Sequence, residues 1–137
     1  MPPSALLRHQ TPDGSSHLDW LIARTSSPAG PDDRCLIALR IRERPDTPLV
    51  LELDAERLPD HRWLYLTHEG PLPGPNDRGA VTRLATFESN ILSDRPDRLD
   101  IAIGTPLGWT NWYGRPHPGR AASPQGHPLW TFEAVRG

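Results

Sequence analysis

The sequence predicts an all-β protein, a small closed β-barrel of about eight short strands. Three observations carry this expectation. Short apolar runs recur along the chain, separated by turn residues. Seventeen prolines and eleven glycines make up about a fifth of the 137 residues, which leaves little room for long helices. Five tryptophans and repeated Leu, Ile and Val runs supply the core of one domain, residues 1–137. A barrel suits such a chain, because eight strands close on a filled interior and expose no edge.

The elements follow in order. Ala5 to His9 is the first apolar run, ended by Pro12-Asp13-Gly14-Ser15. In His17 to Arg24, Leu18, Trp20 and Ile22 alternate with His17, Asp19 and Leu21, the period of a strand. Thr25 to Asp33 is a Ser/Pro/Gly loop. Leu36–Ile41 and Leu49–Leu53 read as strands, and Asp54 to Asp60 as one helical turn. Trp63 to Thr67 reads as a strand with Trp63, Tyr65 and Thr67 on one face. The Pro/Gly run from Gly70 to Asp77 resists regular structure. Ala80–Phe87, Leu99–Ile103 and Leu129–Val135 complete the eight. Between the last two lies a Pro/Gly-rich segment, 104–128, expected to be a long loop across the barrel mouth or partly disordered.

Charge and cysteine usage narrow the function. Fifteen arginines, no lysine and seventeen acidic residues give a net charge of −2. Such a chain has no overall field to attract DNA or a membrane, so any polyanion contact needs a local cluster. Its single cysteine, Cys35, excludes an internal disulfide and a multi-thiolate zinc site. Cys35 sits in an apolar run and reads as a buried thiol packed with Ile37 and Leu39, its neighbours at i+2 and i+4. There is no signal-peptide pattern and no apolar run of 18 residues. A cytoplasmic monomer is therefore the expectation.

Among the six histidines, His117 and His127 fall in the Pro/Gly tail and read as solvated. His9, His17 and His61 stand at strand ends. His17 and Asp19 share a strand face about 6.5–7 Å apart, close enough for both side chains to meet one divalent ion. His9 lands beside His17 if their strands are neighbours. Two imidazoles and a carboxylate suit manganese, iron or zinc. The same residues also read as unrelated polar groups on a wet face. In the second block, His61 and Tyr65 bring an imidazole and a phenol, each able to donate to a phosphate oxygen; a core Trp63 with a satisfied Tyr65 hydroxyl is the plainer reading.

Taken in order, these residues resemble a family. His9, His17-Leu18-Asp19, Asp60-His61 to Tyr65, Glu69-Gly70-Pro71-Leu72-Pro73-Gly74 and Gly79-Ala80-Val81 are similar to the pattern of the 3′-phosphoesterase domain of bacterial DNA ligase D. The resemblance covers roughly residues 5–90. It implies a small β-barrel that uses manganese to trim DNA 3′ ends in break repair. A 3′-ribonucleoside is removed first, then the 3′-phosphate, beside other end-joining proteins. It further implies that His9, His17 and Asp19 hold the metal, that His61 contacts the scissile phosphate, and that Tyr65 supports it. The family places an arginine two residues after the metal aspartate, where this chain has Leu21, and an acidic residue where it has Ala23. Arg62, Arg78 or Arg83 then becomes the candidate phosphate ligand. Two other functions fit the residues: a non-catalytic barrel that binds nucleic acid or a partner, and a two-His-one-carboxylate iron enzyme built on His17, Asp19 and His61.

Overall fold

A computed structural model describes residues 2–136. Nine antiparallel strands form one sheet: β1 (Pro3–Gln10), β2 (Ser16–Ala23), β3 (Leu36–Ile41), β4 (Glu52–His61), β5 (Gly70–Pro71), β6 (Ala80–Arg95), β7 (Arg98–Thr105), β8 (Gly108–Pro116) and β9 (Leu129–Arg136). The order is β1-β2-β3-β4-β9-β8-β7-β6-β5, and an extra pairing of β1 with β6 closes the ring. β6 makes closure possible by its length. Its first half pairs with β1 and its second half with β7. The two-residue β5 adds to β6 beside the closing seam. The predicted closed all-β fold is the observed one.

Alternation sends one set of side chains into the ring. Leu6, Trp20, Ile22, Leu39, Ile101, Trp112 and Phe132 belong to this cluster. Trp20 meets Trp112 edge-on at 6.5 Å and Phe132 at 6.3 Å, favourable geometries for aromatic pairs. The Trp20 indole N–H donates to the buried Ser4 hydroxyl at 2.8 Å. A second cluster lies on the outside of β1 to β4: Ala5, Leu7, Leu21, Ala23, Leu36, Ala38 and Leu58, covered by Leu66, Trp63 and Tyr65. β1 to β3 are therefore buried on both faces along much of their length, which explains their continuous apolar runs, whereas β4 keeps exposed polar residues at Glu52 and Asp54.

Several local expectations are corrected. Trp63–Leu66 is a 3-10 turn rather than a strand. Its apolar residues cover the outer cluster instead of pairing in the sheet. Asp54 to Asp60 belongs to β4 and holds no helical turn; Leu53 and Ala55 face the core and need strand periodicity to do so. The run that begins at Leu49 enters β4 only at Glu52. Gly70–Pro71 is a short strand despite its composition. The supposed loop 104–128 contains all of β8. Gly114 in β8 is no breaker: a Cβ there would overlap the Phe132 ring and stand 2.7 Å from the Leu99 carbonyl. Glycine lets two core elements approach.

Cys35 is buried, but its neighbours differ from expectation. It packs in the outer cluster with Leu36 and Ala38, whereas Ile37 and Leu39 face the ring interior. Cys35 precedes β3, and the β3–β4 register shifts between Leu36 and Ala38. Strict alternation therefore does not carry back to it. Burial, then the Asp33 charge, pushes the thiol above its ordinary pKa. Cys35→Ser should lower stability by about 1–3 kcal/mol, the cost of an unmatched buried hydroxyl, and leave metal affinity unchanged. Thermal melts and manganese titration check this.

Candidate metal centre and phosphate cleft

The β1–β2 hairpin builds the metal candidate. Thr11, Asp13 and Ser15 knit the turn: the Thr11 hydroxyl donates to Asp13 at 2.5 Å and the Ser15 amide does so at 2.9 Å. The Ser15 hydroxyl also donates to Asp13, at 2.6 Å, and this bond, followed by those from Thr11 and the Ser15 amide, holds the Asp13 carboxyl down at about 2. The hairpin register then places His9 directly opposite His17. Asp19, two residues on, shares the outer face and is 7% exposed. One ligand atom from each of His9, His17 and Asp19 lies within 4.8 Å of the others.

Two of the three candidate ligand pairs have the spacing of groups that share one ion. His9 Nε2 donates to the Arg78 carbonyl at 2.8 Å. A carbonyl only accepts, so Nε2 carries a proton and Nδ1 is the nitrogen turned toward His17. Metal-bound histidines are oriented by this type of contact. His17 Nε2 lies 3.1 Å from His9 Nδ1 and 3.4 Å from Asp19 Oδ2. Ligands about 2.1 Å from one ion, at right to tetrahedral angles, are about 3.0–3.4 Å apart. Asp19 Oδ1 is buried without a hydrogen bond, and its nearest cation, Arg40 Nε, is 3.7 Å away. A buried carboxylate needs compensating charge, which a divalent ion would provide.

Beside these ligands runs a cleft of about 400 Å³. Leu7, His9, Asp19, Leu21 and Arg40 from β1 to β3 form its floor, and His61 ends it. Arg62 immediately precedes the 3-10 turn and Tyr65 lies in it, Arg78 comes from the segment before β6, and Arg34 from the β2–β3 loop. Four guanidinium groups thus line a cleft whose one lining acid is Asp19, while Arg62 also pairs with the exposed Asp32 at 3.0 Å. A chain of net −2 has concentrated positive charge at this place.

No family model matches the chain, and no curated protein is similar to it. The site therefore stands on its own chemistry. His61 and Tyr65 do meet, with ring centroids 5.9 Å apart. They meet because the 3-10 turn folds back on the end of β4, and not through a shared strand face. His61 Nδ1 donates to the Pro59 carbonyl at 2.9 Å, which leaves Nε2 as the free ring nitrogen. The Tyr65 oxygen accepts from Arg62 at 2.9 Å and Arg78 at 3.4 Å. Burial pushes this phenol up, but the hydrogen bonds and charges of Arg78 and Arg62 outweigh it and hold the group below its ordinary pKa.

Arg83 is separate from the cleft and donates to the Thr67 carbonyl at 2.9 Å. Asp60 is also structural, paired with Arg24 at 3.2 Å. Three cleft residues escaped the sequence reading. Arg40 is opposite Asp19 in the β2–β3 register, a pairing invisible before the register is known. Arg34 sits in a loop. His127 is half-buried and lines the cleft rather than being solvated. His117 is also half-buried, accepting from the Gly119 and Arg120 amides at 3.1 Å.

Proposed function

We propose that the chain is a divalent-metal-dependent phosphoesterase acting on the 3′ ends of DNA, as its resemblance to the DNA ligase D 3′-phosphoesterase domain implies. One observation carries the reading: a two-imidazole, one-carboxylate donor set borders a cleft with four arginines, His61 and Tyr65. Manganese fits the donors. When bound, such an ion supplies charge neutralisation and Lewis acidity toward a phosphoester. Arg62 and Arg78 hold phosphate oxygens, and their planar forks fix its orientation. His61 Nε2, when protonated, donates to the oxygen where charge builds, and the Tyr65 hydroxyl supports it. The proposed setting is the cytoplasm, as a monomer alongside end-joining repair proteins. No helix among the described residues is long and apolar enough to cross a membrane.

A second reading has its own observation. Leu21, at the position of the family arginine, is 1% exposed and packed into the outer apolar cluster. Loss of that fork favours a module that binds phosphate without turnover. Incubation of a 3′-phosphate oligonucleotide with the protein and manganese, with and without chelator, separates the two. Manganese-dependent phosphate release is expected. Binding with no release at high enzyme concentration would establish the module instead.

A further inference from the structure

We propose that a second cavity, beyond the metal ligands, seats the nucleoside bonded to the reacting phosphate; this rests on the phosphoesterase reading above. The metal candidates stand on a partition. His9 and Asp19 line the phosphate cleft, but their partner His17 lines a larger cavity of about 1010 Å³. Arg40 borders both. A phosphate at the partition therefore has room for a substituent on its far side.

Size and chemistry select the occupant. The first cleft, with four arginines and a single acid, suits a phosphate. The second lies at the upper end of small-molecule site volumes, about 300–1,000 Å³. Its charges nearly balance: Arg8, Arg40, Arg42 and Arg120 against Glu43, Asp54 and Glu56. These carboxylates oppose another phosphate but accept from hydroxyl and amino groups, while the arginines donate to ring nitrogens and carbonyls. Glu56 Oε2 is buried with no hydrogen bond, an acceptor that a ligand donor would satisfy. A nucleoside offers this mixture of groups.

The wall of the cavity is preformed. It comes from the β8–β9 connection, where Arg120, Ser123 and Gln125 line the space. The Ser123 amide donates to the His127 carbonyl at 2.8 Å, and the Gly126 amide donates to the Ser123 carbonyl at 2.9 Å. Ala122 bridges Pro128. The segment whose composition suggested a loose loop thus forms a fixed side of the proposed seat.

Two substrates test the assignment with the intact chain and manganese: p-nitrophenyl phosphate, which lacks a nucleoside, and a 3′-phosphate oligonucleotide. Arg120→Glu removes a donor, and Gln125→Trp fills the space; both positions are exposed. Arg120→Glu should raise the oligonucleotide KM at least about tenfold, the loss of one charge-assisted hydrogen bond, and Gln125→Trp, by excluding the nucleoside, should raise it by at least as much. Kinetics on p-nitrophenyl phosphate should stay within about twofold. Fluorescence polarisation of the labelled oligonucleotide, in chelator, should show the same weakening. Equal losses on both substrates, or unchanged oligonucleotide KM and affinity, would overturn the seat. A wild type inert on both substrates defeats the phosphoesterase reading, and the polarisation assay then decides the seat alone.

Discussion

Asp19→Asn should weaken manganese binding at least about 100-fold, with the melting temperature nearly unchanged. Loss of an outer-shell partner already costs about 10–100-fold in metal affinity, and Asp19 is the sole carboxylate in the donor set. The amide keeps the shape of the side chain but removes its charge. The buried Oδ1 has no hydrogen bond to lose, and the ion pair with Arg40 is long, at 3.7 Å. Folding therefore has little at stake. Calorimetric titration gives the affinity and a thermal melt controls for folding. Undiminished manganese binding would remove Asp19 from the site.

His61→Ala should slow 3′-phosphate release by about 10²–10³, the usual cost of one preorganised donor to developing charge, while manganese affinity holds. The separation is geometric. His61 lines the cleft but is not among the three candidate ligands, and its ring is fixed on the Pro59 carbonyl. Tyr65→Phe should cost less, since it deletes one neutral hydrogen bond of about 0.5–1.5 kcal/mol. It also strips Arg62 and Arg78 of a shared acceptor, so KM should rise alongside the fall in kcat. Steady-state kinetics with a 3′-phosphate oligonucleotide check both. If His61→Ala matches wild type, the assigned role fails.

The core strands and the His9–His17 meeting were legible because they depend on local rules. Period-2 alternation identified β2, and a short hairpin determines its own register. Cross-strand neighbours far apart in sequence were not legible. Arg40 reaches Asp19 only through the β2–β3 register. His127 reaches the cleft only because its turn folds over the sheet. Glycine and proline misled in β8, where Gly114 serves close packing rather than a bend. Trp63–Leu66 misled the other way, since apolar alternation over four residues cannot distinguish a strand from a covering turn. The two errors offset each other, and eight strands do close the ring.

The contact between His9 and the Arg78 carbonyl separates two properties of one residue. The Arg78 side chain lines the cleft, and its main chain orients a candidate metal ligand. Arg78→Ala therefore removes a cleft charge and leaves the ligand's anchor in place. The anchor is vulnerable one position later. Gly79 has φ +88°, and a Cβ there would collide with the Gln10 carbonyl. A substitution at Gly79 would displace the peptide that holds His9. Alanine scanning would then report the arginine as a substrate residue and the glycine, which has no side chain, as a metal residue.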